Sequence, residues 1–225
     1  KRAITAIAAL NDDRLTEKLL APQLNTDDPR AAYAAFDILE SVWTKDAEKF
    51  KRLNVAALAQ FKRLEEVRSK RKLSPQEELL LLGIATNLKL GIREGYLGTQ
   101  EKEDALKIVC EFLVSERLDE REAVSGLFSS LANDSHTNLF TKLLADESER
   151  VRGDAALGLS NCKPETIKPY IPELLKLAQI GSQFPAIFAL YALRKYRGEK
   201  CGNFLSDAQF KVELERVRLA LKDGK

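Results

Sequence analysis

Asp146-Glu147-Ser148-Glu149-Arg150-Val151-Arg152-Gly153-Asp154-Ala155-Ala156-Leu157-Gly158-Leu159 is the stretch that decides the fold. An acidic opening is followed by Val-Arg, then by small residues ending in Leu. Aligned on its last nine residues, the pattern recurs along the chain as Arg2–Leu10 (RAITAIAAL), Ala31–Leu39 (AAYAAFDIL), Leu82–Leu90 (LGIATNLKL), Ala123–Leu131 (AVSGLFSSL), Val151–Leu159 (VRGDAALGL) and Pro185–Leu193 (PAIFALYAL). The starts at 2, 31, 82, 123, 151 and 185 give steps of 29, 51, 41, 28 and 34 residues. The outer steps have the length of one helix pair and the middle is expanded. Apolar positions spaced three and four apart give each segment one stripe to bury, with a terminal Leu inside. The small residues let neighbouring helices approach closely. Self-similarity at this period is the mark of stacked helix pairs. The pattern predicts an all-α chain of about six helix pairs, a right-handed α-α superhelix. It reads as one elongated domain over residues 1–225 with an irregular, expanded centre at about 45–115.

Composition agrees with a helical protein. Of 225 residues, 44% are hydrophobic and 31% charged, enough for a continuous core and a solvated surface. No run alternates with a two-residue period between Asn-Gly or Asp-Gly turns. Ser74-Pro75-Gln76-Glu77 predicts a helix start, with a capping Ser, a Pro suited to the first turn and a Glu that returns the cap. The longest apolar run, Leu79 to Ala85 broken by Gly83, is far shorter than the roughly 20 residues of a membrane span. Cys110, Cys162 and Cys201 form no CxxC pair and are odd in number, which points to free thiols and a reducing, cytoplasmic setting. The chain opens in what reads as mid-helix and has no Met, as expected of a segment processed or cut from a longer chain.

The segment from about Leu139 to Leu193 resembles HEAT repeats, particularly the short type described in phycobilisome lyases. Val151, Arg152, Ala155, Ala156 and Leu159 carry the resemblance, and Asp27-Asp28-Pro29-Arg30-Ala31-Ala32 is a looser match. The resemblance implies an outer helix opened by the acidic turn and an inner helix with several Leu, here Ile167–Ala178 (IKPYIPELLKLA). Val151, Arg152 and Asp154 then belong to repeat structure, with Arg152 directed at the next outer helix. The centre, Leu81 to Gly91 followed by Glu103–Leu106, has a tetratricopeptide flavour with roughly ten extra residues between helices.

Catalytic chemistry finds little to work with. His136 is the one histidine, and zinc or di-iron sites need several His, Cys or Glu converging. Asp134-Ser135-His136 is not a triad by adjacency, and such residues before a helix are normally caps. Gly91, Gly95 and Gly98 in GIREGYLG match neither a dinucleotide fingerprint nor a P-loop and read as a turn. The acid pairs Glu65-Glu66 and Glu77-Glu78 read as solvated helix faces. No cofactor, metal or catalytic residue is expected.

Charge is the remaining lead. The net charge of +2 hides two concentrations, +4 over Lys62–Lys72 and +3 over Arg194–Lys200, with −5 on the rest. Nucleic-acid binding would rest on those runs alone, and the single Trp43 reads as core rather than as a stacking platform. The sequence therefore predicts a non-catalytic scaffold that binds another protein through exposed inner-helix residues and a basic rim. The candidate contacts are Arg68, Lys70, Arg71 and Lys72 in the centre and Lys142, Lys168, Lys176, Arg194, Lys195 and Arg197 towards the C-terminus. The alternatives are a lyase attaching bilin to a phycobiliprotein, which the resemblance implies, and a nucleic-acid-binding HEAT-like protein. Partner identity and oligomeric state are not specified by the sequence.

Overall fold

A computed structural model describes residues 13–43, 45–199 and 206–222. The described residues are all-α, without a strand, and divide into two compact units, Lys1–Ser130 and Leu131–Lys225. The first proposed copy, Arg2–Leu10, lies outside the described residues.

The first unit runs through α1 (Asp13–Leu20), a 3-10 turn (Ala21–Asn25), α2 (Pro29–Trp43), α3 (Ala47–Lys70), α4 (Pro75–Arg93), α5 (Thr99–Leu113) and α6 (Leu118–Leu131). Helix α2 packs on α4 and α3 on α5, so alternate helices stack into two layers while sequence neighbours α3 and α4 pack across them. That arrangement is how helix pairs bury a stripe that one pair cannot cover alone. Trp43 is 1% exposed and Phe36, Phe61, Phe112 and Phe128 are fully buried. Each such ring contributes about 1.5–3 kcal/mol over an exposed one. Phe61 and Phe112 stack with centroids 5.7 Å apart, joining α3 to α5. Gln60, itself buried, donates to the carbonyls of Leu24 and Thr26, and Arg63 donates to Thr26 O at 2.8 Å, so α3 holds the turn that leads into α2.

The predicted start of α4 is present. Ser74 Oγ accepts from Glu77 N, while Ser74 N donates to Glu77 Oε2 at 2.8 Å. The expanded centre is made by helix lengthening, because α3 has 24 residues and α4 has 19. Only residues 94–98 separate α4 from α5, so the roughly ten extra residues expected there belong mostly to the end of α4. Gly91 is accordingly helical and buried; the turn begins after it, with Gly95 at φ +78°.

The second unit comprises α7 (Thr137–Leu144), α8 (Glu149–Leu159), the single turn α9 (Pro164–Ile167), a 3-10 turn (Lys168–Tyr170), α10 (Ile171–Ile180), α11 (Gln183–Tyr196) and α12 (Asp207–Lys222). Helix α8 packs on α11, and α10 and α12 also pack on α11. A Cβ on Gly153 would lie 3.0 Å from Pro185 Cα, so two of the nine-residue copies meet at the point where one has no side chain. The expected inner helix over Ile167–Ala178 is broken instead into α9, the 3-10 turn and α10. Pro169 and Pro172 lack the N–H that a continuous helix would use. The terminal Leu of each copy is fully buried in α2, α8 and α11, but Leu90 and Leu131 are only half-buried. In α4 and α6 the inward stripe runs instead through Leu88 and through Leu127 and Phe128.

Around the motif that opened the sequence reading, Ser148 Oγ accepts from Val151 N and Ser148 N donates to Asp146 Oδ1 at 2.8 Å. Arg152 Nη1 donates to the carbonyls of Asp146 and Glu147 at 2.7 and 2.9 Å, so it fastens the loop before its own helix instead of reaching the next outer helix. Val151 and Leu159 are fully buried, and Ala155 and Ala156 nearly so.

Candidate interaction surfaces

In the first basic run the arginines are engaged by acids of the fold. Arg68 donates to Glu120 at 3.0 Å and its guanidinium lies over the Phe112 ring, 5.1 Å from the centroid. Arg71 forms two hydrogen bonds with the Glu77 carboxylate, at 2.8 and 2.7 Å. That pairing and the capping bonds from Ser74 hold the Glu77 carboxyl well below its ordinary range, at about 2. Arg117 pairs with Glu78 and donates to Leu73 O. Glu77 and Glu78 are therefore buried or half-buried partners of arginine, not the solvated acids expected. Their positions on the first turn of α4 make them good partners for the α3–α4 loop. Lys62 pairs with Asp104 and Arg63 with Asp27. Lys70 and Lys72 stay exposed with no described ion pair.

The second run behaves similarly. Glu199 receives Arg197 at 2.7 Å and also Arg216, while Glu213 receives Arg216 and lies 3.4 Å from Arg194. The arginines hold Glu199 at about 2 and lower Glu213 as well, Arg216 being the main cause for each. This lattice fastens α12 to the end of α11. Lys195 is exposed, and Lys200 lies outside the described residues.

Lys142, Lys168 and Lys176 are exposed on neighbouring elements of the second unit and have no ion pair among the described residues. Tyr170 ties those elements together, donating to Thr137 O at 2.6 Å and packing edge-on against Phe140. One turn beyond Lys176 stands Ile180, 70% exposed, and across the α10–α11 turn stands Phe184, 55% exposed. Ile180 and Phe184 were not legible in the sequence, because the nine-residue register begins at Pro185 and leaves both outside it. The ten predicted residues thus fall four in the first unit and six in the second, and the lysines are the ones left without a described ion pair.

Catalytic candidates are absorbed by local structure. His136 Nδ1 accepts from Asn133 N, and Ser135 Oγ donates to Asn133 Oδ1 at 2.7 Å rather than to the imidazole. Asp134 Oδ1 accepts from Lys163 N and Thr166 Oγ1, both at 2.8 Å, and so caps α9 from a distance. Cys162 is buried and its thiol is pushed up to about 11 by burial and by Asp134; burial and Glu111 also raise Cys110. Cys201 lies outside the described residues. Among the described residues no three His, Cys, Asp or Glu side chains converge as a metal site, and no helix is long and apolar enough to cross a membrane. A shallow apolar hollow of about 450 Å³ lies along Ala208, Gln209, Val212 and Glu213 of α12.

No family model matches the chain, and no curated protein is significantly similar to it. Among solved structures it is similar to an engineered protein, with a TM-score of 0.59 and 18% identity over 93% of this chain and 97% of that one. The designed armadillo repeat protein YIII(Dq)4CqI matches 91% of this chain and 90% of its own length, with a TM-score of 0.58 and 17% identity. A related design, YIII(Dq.V1)4CPAF in complex with peptide (KR)4, matches 91% and 89%, with a TM-score of 0.53 and 19% identity. The fold is a helical repeat. At this identity the likeness speaks for the α-α superhelix class, which the stacked helix layers within each unit also display.

Proposed function

We propose that the chain is a non-catalytic scaffold of short HEAT-like repeats that binds another protein through exposed residues of its second helices. The observation that carries this reading is in the second unit, where Lys142, Lys168 and Lys176 are exposed with no ion pair among the described residues, and exposed Ile180 and Phe184 follow Lys176 at the α10–α11 turn. Such a surface suits an acidic partner segment with apolar anchors. The apolar side chains supply most of the affinity and the lysines steer encounter and register. Lys195 in the second unit, and Lys70 and Lys72 in the first, are further exposed lysines, whereas Arg68, Arg71, Arg194 and Arg197 are occupied in ion pairs. The likeness to a designed repeat protein with a bound peptide supports peptide binding by such a fold. The loop-fastening Arg152 and buried Val151 give the HEAT-like motif a structural rationale.

The test is a pull-down from source lysate with the native chain, a Lys142→Glu/Lys168→Glu/Lys176→Glu variant and a Lys70→Glu/Lys72→Glu variant, at low and moderate salt. A defined protein retained by the native chain at moderate salt and lost in the triple variant is the expected result. Retention of the same protein by both variants would remove the lysine surface from the reading. Recovery of nucleic acid that is released by salt would replace the reading altogether.

A further inference from the structure

Five carboxylates among the described residues are matched with arginine: Glu77 with Arg71, Glu78 with Arg117, Glu120 with Arg68, and Glu199 and Glu213 with Arg216. Glu40, half-buried on α2, is different. It has no cation partner among the described residues; its hydrogen bond comes from Asn87 Nδ2 on α4 at 3.0 Å. One turn earlier on α2 stands Asp37, exposed and likewise without a cation. Burial, followed by the charge of Asp37, raises the Glu40 carboxyl above its ordinary value. Half-buried Glu40 thus stands one turn from the like charge of exposed Asp37, with no described cation at either, which is unfavourable unless something else supplies one.

Asn87 supplies the second observation. It is 1% exposed, and its amide nitrogen bonds both Glu40 Oε2 and Gly83 O, each at 3.0 Å. Two acceptors on one nitrogen fix the amide's orientation. Its Oδ1, two covalent bonds from the nitrogen that holds Glu40, is buried and has no donor. Across from it, the Tyr33 ring lies over Gly83, where a Cβ would come within 3.0 Å of the ring. Tyr33, Asp37 and Glu40 fall at i, i+4 and i+7, so they line one face of α2 opposite Gly83 and Asn87 of α4.

We propose that the α2–α4 face carrying Tyr33, Asp37 and Glu40, with Gly83 and Asn87 beneath, is the binding site for an arginine side chain presented by a partner protein. A guanidinium is a planar fork of five donors, and it meets here two carboxylates, a donor-less amide oxygen and an aromatic face. The carboxylates neutralise its charge, Asn87 Oδ1 takes an N–H once the Glu40 side chain turns towards the ligand, and Tyr33 stacks on its plane. The site lies in the first unit and is acidic, so it is distinct from the lysine surface proposed above; either can fail alone.

The test uses the whole chain and a fluorescein-labelled, end-capped octapeptide of alternating Arg and Ser, followed by anisotropy. The same peptide with citrulline in place of Arg keeps the shape and removes the charge. The native chain is expected to bind the Arg peptide at least tenfold more tightly than the citrulline peptide. Asp37→Asn/Glu40→Gln should lose at least tenfold, whereas Glu103→Gln/Glu111→Gln, exposed acids on α5, should change little. In ¹⁵N spectra the Asn87 side-chain amide should shift on titration. Glu40→Gln keeps an acceptor for Asn87 and removes the unmatched charge, so its melting temperature should equal or exceed that of the native chain. A lower melting temperature would mark Glu40 as a structural residue and overturn the proposal. So would equal binding by the Asp37→Asn/Glu40→Gln variant, an unmoved Asn87 amide, or no binding of the Arg peptide at millimolar concentration.

Discussion

Gly91 shows how a single residue can be set by contacts that sequence spacing does not display. A Cβ there would stand 2.0 Å from Asn54 Oδ1 and 2.5 Å from Leu97 Cδ1, inside the core of the first unit. Asn54 is itself anchored, its Nδ2 donating to Phe50 O at 2.8 Å, so it yields only by giving up that bond. Alanine in mid-helix would gain about 1 kcal/mol of propensity, but overpacking of this kind costs about 1–3 kcal/mol. Gly91→Ala is therefore expected to lower stability by up to about 2 kcal/mol, read as a lower urea midpoint. Asn54→Ala should cost less in the Gly91→Ala background than in the native one. A midpoint equal to or above native for Gly91→Ala would show that Asn54 and Leu97 move aside freely. In sequence, GIREGYLG reads as a glycine-rich turn, and only Gly95 and Gly98 fit that reading. Ser74-Pro75-Gln76-Glu77 was legible because a capping box is made within four residues. The partner of Arg68 was not, since Glu120 lies 52 positions away and the fold alone brings it near.

At the scale of elements, α12 is held differently from the other helices of its unit. Val217 is its only fully buried apolar side chain among the described residues, while Val212 and Leu219 are 72% and 51% exposed. The Arg194, Arg197 and Arg216 lattice on Glu199 and Glu213 thus carries much of its attachment to α11. Glu199 sits at about 2 in the folded chain and near its ordinary 4.5 when the lattice is undone. A depressed carboxylate contributes stability that is complete above the higher value and is lost as pH falls towards the lower one. Amide exchange in α12, corrected for the intrinsic pH dependence of exchange, should accordingly rise relative to α8 and α11 between about pH 4.5 and pH 2. It should rise at neutral pH in 1 M salt as well, because partly exposed pairs are screened. Insensitivity of α12 to both would show that Val217 packing suffices. The basic run over Arg194–Lys200 was legible as charge, and its use as a clamp was not, because Glu213 and Arg216 come from the next helix. The break of the predicted inner helix at Pro169 could have been read from the sequence, as proline there is a local signal.

For the whole molecule, repetition was legible because each helix pair contacts mainly its neighbours, so the same small-residue stripe must be written again at each step. The candidate surfaces were only partly legible: the lysines follow from charge, but Ile180, Phe184 and the unmatched Glu40 depend on which side chains the packing leaves uncovered or unpaired. The same near-neighbour logic governs how damage spreads. The first unit has its own core in Phe36, Trp43, Phe61, Phe112 and Phe128, and the second in Phe140, Leu159, Leu174, Leu190 and Val217. Gly153→Leu would drive a side chain into the Pro185 backbone, against which even a Cβ sits at 3.0 Å, at a cost of about 1–3 kcal/mol. Hydrogen exchange by mass spectrometry should then show increased opening concentrated in α8, α10 and α11, with α3, α4 and α5 nearly at native rates. Gly91→Ala should give the reverse distribution. If either substitution raised exchange equally in both units, the chain would open as one cooperative body, and stability could not be assigned repeat by repeat.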